Sequence, residues 1–214
     1  MNSSNSSSPN LITKGPSFFD LLEKSWSTLK PHLSLGVGIT LGAIIIQMLL
    51  IRIPFLGLFL GFLLFPGYIL CMNAIRKNQL FDFNQLLWSW QDFNRILQLI
   101  LLNIVSGLMI FLGLLFFIIP GIYFIVTLVF DRFIFILEKQ DAIFSIKKSM
   151  ELVKNHWWYI HNLYAWLLLL NLLGLLALGI GLLVTVPLTT MILLEAYEAL
   201  KNHHDVLPPS STSV

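Results

Sequence analysis

Charge and sulfur are both scarce in this chain: Asp, Glu, Lys and Arg make up 11% of 214 residues, and there is one cysteine. So little charge excludes a soluble helical bundle, whose solvated faces alternate charged residues with apolar ones at helical spacing. A lone Cys71 excludes an intramolecular disulfide, and its place inside an apolar run, away from cations, reads as packing. The formal charge of +2 leaves no basic surplus that would call for nucleic acid. The opening MNSSNSSSPNLITKGP has no basic cluster ahead of an apolar core, the layout of a cleaved signal peptide, so the first helix is expected to stay as an anchor. Catalytic apparatus is missing too: there is no Gly-rich phosphate loop, no Ser-based elbow and no carboxylate pair spaced for a water. His156 and His161 are five apart and point to different helix faces, and His203-His204 falls in the closing tail, so neither pair forms a metal site. No cofactor, metal or catalytic residue is expected, and the chain reads as a non-enzyme.

What is present is apolar: 57% of residues are hydrophobic, and Leu97 to Ile119 runs 23 residues without a formal charge. That length crosses a hydrocarbon core of about 30 Å. Stretches of this kind are Leu33–Ile51, Phe55–Ile75, Ile96–Ile119, Gly121–Leu137, Trp157–Ile180 and Leu182–Leu200. Pro54, Pro120-Gly121 and the Gly179 to Pro187 segment make the first, third and fifth connections tight, which predicts three helical hairpins. Twelve of the thirteen Lys and Arg fall on the side of the tails and long loops, and only Arg52 falls on the other. Positive flanks stay cytoplasmic during insertion, so both termini are expected inside. Polar, Ser- and Pro-rich residues 1–16 and 203–214 are expected to be disordered tails around a membrane domain of 17–202.

Within that domain three repeats, about 17–76, 81–138 and 141–201, superpose on Ser25, Ser89 and Ser149. Each opens with a short amphipathic segment whose apolar positions are Phe18, Leu22, Trp26 and Leu29, then Phe83, Leu86, Trp90 and Phe93, then Ile143, Ile146, Met150 and Val153. Ser17 with Asp20, Asp82 with Gln85, and Asp141 are the expected caps. The expected fold class is therefore an all-α membrane protein, six transmembrane helices as three hairpins, each preceded by a cytoplasmic amphipathic interfacial helix. Aromatics at the edges, Trp26, Trp88, Trp90, Trp157, Trp158 and Tyr159, suit the headgroup layer. Lys147, Lys148 and Lys154, with Lys139 nearby, favour anionic lipid at about 1 kcal/mol each, although Glu138, Asp141 and Glu151 dilute their charge. Either these helices only steady the hairpins, or they form a collar that binds anionic lipid, a membrane-protein partner or a second copy of the chain.

Ionisable groups at membrane depth are costly and mark candidate sites. Asp131 and Arg132 lie in the fourth stretch and Glu195 in the sixth, where Arg132 and Glu195 are expected to pair, while Glu198 and Lys201 form a helix-surface pair. Amides in or beside the spans, Gln47, Asn73, Asn103, Asn162 and Asn171, need hydrogen-bond partners there. Pro66-Gly67 is the place for a kink or an interruption, and Gly38-xxx-Gly42 with Gly57-xxx-Gly61 has the spacing that brings the first two spans together.

The run IIPGIYFIVTLVFDRFIFILEKQDAIFSIKKSMELVKNHWW, with Pro120, Gly121, Ile122, Tyr123, Glu138, Ala142, Ser149 and Trp157, resembles the signature of a broad group of uncharacterised prokaryotic six-helix integral membrane proteins. Gly181, Thr185, Pro187 and Tyr197 in GLLVTVPLTTMILLEAYEAL fit that group's last span, and the resemblance covers most of Leu11 to Leu200. The group is similar to the membrane domain of some bacterial glycerophosphodiester phosphodiesterases. It implies a prokaryotic cytoplasmic (inner) membrane; no attached catalytic domain is expected here, and Asp131-Arg132 departs from the group's apolar pattern. Two functional readings are preferred to a third, a membrane hydrolase, for which no nucleophile or metal constellation is visible. One is a non-enzymatic module that organises membrane or binds a partner through the collar. The other is a small transporter or lipid-handling protein with a site among Asn103, Asn171, Asp131, Arg132 and Glu195, and it predicts a cavity there.

Overall fold

A computed structural model describes residues 15–50, 52, 56–79, 84, 92–177 and 179–206, and every regular element among them is helical. Helix α1 (Phe18–Leu29) starts with the expected capping box, the Ser17 N–H donating to the Asp20 carboxylate at 3.1 Å. A 3-10 turn at Lys30–His32, with Pro31 in its first turn, leads directly into α2 (Leu33–Leu50). Phe18–Leu50 is thus one helical stretch of 33 residues, with no loop between amphipathic segment and apolar stretch. Helix α3 (Leu56–Arg76) runs through Pro66 without interruption. Asp92 caps α4 (Phe93–Phe116) by accepting from the Asn94 N–H at 3.0 Å. One extended residue, Phe117, separates α4 from α5 (Ile118–Thr127), and Pro120 sits in the first turn of α5, where a missing N–H costs nothing. Then come α6 (Asp131–Leu137), α7 (Ala142–Lys154), α8 (Trp157–Leu176) and α9 (Leu182–Val206). Helix α9 continues to Val206, so the segment expected as a tail from 203 begins as helix.

Five stretches among the described residues are long and apolar enough to cross a membrane: Phe18–Leu50, Phe93–Phe116, Ile118–Leu137, Trp157–Leu176 and Leu182–His203. Their surfaces say what solvent they need. Residues at the α4–α5 turn and at the end of α8, including Phe116, Phe117, Ile118, Leu175 and Leu176, are all exposed, and Ile119 is 82% exposed. In water, each such side chain would forgo about 1.5–3 kcal/mol of burial; in a bilayer no such loss arises. The buried core lies toward the other end: Leu21 and Leu29 of α1, Ile69 and Met72 of α3, Leu99 and Leu102 of α4, Ile134 to Ile136 of α6, Met191, Ile192 and Leu194 of α9. This is a membrane protein whose helices converge at one end and present apolar surface at the other.

Small residues, not those the spacing pattern indicates, set the closest approaches. A Cβ on Gly113 would lie 2.9 Å from the Gly121 Cα, and one on Gly174 would lie 2.5 Å from the Thr185 Oγ1, with Gly181 against the same backbone. The two crossings, α4 on α5 and α8 on α9, recur 61 and 60 residues apart. Gly38 and Gly42 instead face open space, so α2 meets α3 without them; Gly57 and Gly61 fall where only backbone is described.

The amphipathic faces are those expected in part: Leu29, Ile146 and Val153 are buried and Phe18, Leu22 and Met150 pack against the core, but Trp26 and Ile143 do not. Helix α1 buries Leu21, Ser25 and Leu29 while leaving Trp26 exposed, and α7 buries Ala142, Ser145, Ile146, Ser149, Leu152 and Val153 while leaving Ile143 exposed. Alanine and serine let α7 approach α4, α5 and α6 closely, and in lipid a large apolar side chain gains little from turning inward. Asp141 occupies the N-cap of α7 but its carboxylate makes no capping bond; the Ala142 N–H donates to Gln98 Oε1 of α4 at 3.1 Å instead. The expected tails before residue 15 and after 206, Pro54, and the second amphipathic segment with Asp82, Phe83, Gln85, Leu86, Trp88, Ser89 and Trp90 lie outside the described residues.

Candidate functional site

The stretch expected as one span over Gly121–Leu137 is broken. Helix α5 ends at Thr127 and α6 restarts at Asp131, with Leu128 (φ −97°, ψ 6°) and Phe130 (φ −99°, ψ 0°) outside helical geometry. Local chemistry favours a break here. The Thr127 hydroxyl donates back to the Tyr123 carbonyl at 2.9 Å, competing with the backbone ladder, and Asp131 opens α6 with a carboxylate that accepts from the Arg132 N–H. An interrupted helix at membrane depth survives only if its freed backbone groups find partners within the protein. Ser149 supplies both, its hydroxyl donating to the Thr127 carbonyl at 2.7 Å and accepting from the Phe130 N–H at 3.2 Å. The buried serine of α7 is a splint across the break.

Beside the break, two charges point different ways. Asp131 is 4% exposed and accepts from the Ser106 hydroxyl of α4 at 2.6 Å. Arg132 turns outward, donating to Asn103 Oδ1 at 2.9 Å while its guanidinium carbon sits 5.5 Å from the centre of the Phe65 ring of α3. Asn103 is itself held by its amide donating to the Leu99 carbonyl at 2.7 Å. These groups line a cavity of about 250 Å³ that Tyr164 of α8 and Thr190 and Leu193 of α9 complete. On the far side of Phe65 a second cavity of about 250 Å³, nearly all apolar, runs between Ala43, Ile44 and Gln47 of α2, Leu64 and Tyr68 of α3, and Val186 of α9. Thr40 closes it, 3.1 Å from the Tyr68 hydroxyl.

No protein-family model, curated protein or solved structure matches this chain. Its site must be read from its own geometry. Of the five residues marked from sequence, Asn103, Asp131 and Arg132 come together and Glu195 and Asn171 lie elsewhere. Glu195 does not meet Arg132; it pairs with Lys24 at 2.6 Å and Arg76 at 3.7 Å. The two cations approach from α1 and α3, elements that no helical spacing on α9 could reveal. Asn171 ties α8 to α9, donating to the Leu167 carbonyl at 2.8 Å and to the Thr189 hydroxyl at 2.7 Å.

The expected Glu198–Lys201 pair does not form either: Glu198 accepts from Arg76 at 2.6 Å, and Lys201 reaches Glu138 at 3.0 Å. Glu138, just past α6, also accepts from Lys148 and from the Tyr197 hydroxyl, both at 2.6 Å. Burial would raise its pKa, but the bonds from Lys148, Tyr197 and Lys201 outweigh it and hold the carboxyl down at about 2. Of the proposed interfacial contacts, Trp26, Lys147 and Lys154 are exposed, Lys148 is engaged by Glu138, and Trp157 is half-buried and stacked on His161 with ring centres 5.0 Å apart. Among the described residues no three His, Cys, Asp or Glu side chains group as a metal site. Sequence reasoning missed Ser106, Arg76, Lys24 and Tyr197. Glu195 and Glu198, three apart on one helix face, were the available sign that cations must pack against α9.

Proposed function

We propose that this chain is a six-span, non-enzymatic protein of a prokaryotic cytoplasmic membrane, its spans arranged as three hairpins and both termini inside, that holds a small solute or lipid at the broken helix. The observation that carries this reading is the cavity at the break, where Arg132, Asn103, Ser106 and Asp131 gather within stretches long and apolar enough to cross a membrane. Ionisable groups are expensive in such a place, and a helix interruption that lines a cavity is how membrane transporters present polar groups to cargo. Recurrence of the glycine crossings, and the complete burial of both Ser25 and Ser149, support the reading of the chain as a repeat.

Native mass spectrometry on protein extracted gently from its own membrane tests the reading. A retained small molecule or lipid should be present on the wild type and absent from a folded Arg132→Gln variant. Identical spectra from the two would refute it. A second reading, a membrane-organising or partner-binding module, rests on the exposed Trp26, Ile143, Phe144, Lys147, Lys154 and Trp158. It predicts that Trp26→Ser with Lys147→Ser weakens association with a partner protein or second copy; unchanged association would sink it.

A further inference from the structure

The two cavities share a wall. Phe65 lines both the polar cavity at the break and the apolar cavity between α2, α3 and α9, and it touches the Arg132 guanidinium on the polar side. We infer that they are the two halves of one amphiphile site, with a singly charged anionic head at Arg132 and an acyl chain laid over Phe65 into the apolar cavity. The inference rests on the reading of the polar cavity as a binding site and goes on to name the ligand class.

Three observations select that class. The first is a cation with donors to spare. Arg132 donates to a neutral amide, whereas Lys24, Arg76, Lys148 and Lys201 are all matched to carboxylates. Its neighbour Asp131 is occupied by the Ser106 hydroxyl and by the Arg132 backbone N–H, so the planar guanidinium keeps donors to offer a phosphate or carboxylate. The second is the sign and size of that charge. Arg132 is the one cation among the described residues that line this cavity, so a monoanionic phosphodiester is matched while a dianion such as a phosphomonoester keeps a charge without a counterpart. The third is the chemistry across Phe65, where the lining is Ala43, Ile44, Leu64 and Val186 with almost no polar surface. A free inorganic ion has no use for such a cavity, and an uncharged hydrocarbon has none for Arg132.

The test uses full-length protein in a neutral maltoside detergent and reads binding from thermal unfolding and native mass spectrometry. Lysophosphatidylglycerol serves as the amphiphile, monoacylglycerol as its uncharged counterpart and dimethyl phosphate as the free head. Lysophosphatidylglycerol should raise the unfolding temperature, monoacylglycerol should not, and Arg132→Gln should remove the effect. Ile44→Trp, which fills the apolar cavity away from Arg132, should weaken lysophosphatidylglycerol at least tenfold and leave dimethyl phosphate unchanged. Should Ile44→Trp lower stability without ligand, Ala43→Leu takes its place. If dimethyl phosphate protects through Arg132 as well as the lysolipid does, or if the filled cavity binds the lysolipid normally, the amphiphile inference fails while the polar site stands. If neither anion depends on Arg132, both fail.

Discussion

Ser149→Ala should be among the more damaging single-atom deletions in this protein, because the hydroxyl carries both backbone ends of the α5–α6 break. It donates to the Thr127 carbonyl at 2.7 Å and accepts from the Phe130 N–H at 3.2 Å, and the residue is fully buried. Each neutral bond contributes about 1 kcal/mol net, and a buried group left without a partner costs about 1–3 kcal/mol. Bonds between membrane helices average nearer 0.6 kcal/mol. Two such bonds lost together place the cost at about 2 kcal/mol, roughly a thirtyfold shift in the unfolding equilibrium. The repeat supplies a matched control. Ser25 is also fully buried, but its hydroxyl has no hydrogen-bond partner among the described residues, so Ser25→Ala should cost under about 0.5 kcal/mol or stabilise slightly. Reversible unfolding of both variants in mixed micelles, or steric trapping in bilayers, gives the comparison. Equal losses at the two serines would refute the account of Ser149 as a splint, since they would then report only the serine packing that the two positions share.

Two more predictions test other parts of the structure. Glu138, held at about 2 against an ordinary value of 4.5, contributes stability that is fully present above the ordinary value and is lost as pH falls toward about 2; unfolding followed from neutral pH downward should show that slope in the wild type and a flatter one in Glu138→Gln. Gly121→Ala would drive a Cβ to 2.3 Å from Leu114 Cδ2 and 2.8 Å from the Leu114 backbone nitrogen, costing about 1–3 kcal/mol, whereas Gly38→Ala meets open space and should stabilise α2 by up to about 1 kcal/mol; unfolding of the pair checks the sign.

How much of this was legible beforehand divides by the range of the interactions. Helix type and membrane setting were legible because a long uncharged run such as Leu97–Ile119 is a property of neighbours in the chain. The cap at Ser17 was legible for the same reason, since its partner is three residues away. Asp131 and Arg132 were marked as costly at depth, and Asn103 as an amide needing a partner, so part of the cavity was visible as a set of unpaired demands. Which demand meets which was not. Arg132 answers Asn103 instead of Glu195, and Glu195 draws Lys24 and Arg76 from helices far away in the chain.

Hydropathy also placed Trp26 of α1 and Ile143 of α7 on inward faces that they do not join. Periodicity sorts apolar from polar, but lipid accepts the exposed Trp26 and Ile143 as readily as the interior would, so close packing of Ser25, Ser145 and Ser149 decides the rotation. The helix break was hidden for a related reason: Thr127 to Asp131 carries no glycine or proline, and the interruption holds only because Ser149, nineteen residues beyond Phe130, satisfies it. By itself, then, the sequence determined that this chain is helical and needs a bilayer, since both follow from the solvent each stretch requires. Only tertiary structure decided where the helix breaks, which charges pair and which cavity they line, because those outcomes depend on side chains that meet only once the helices have packed.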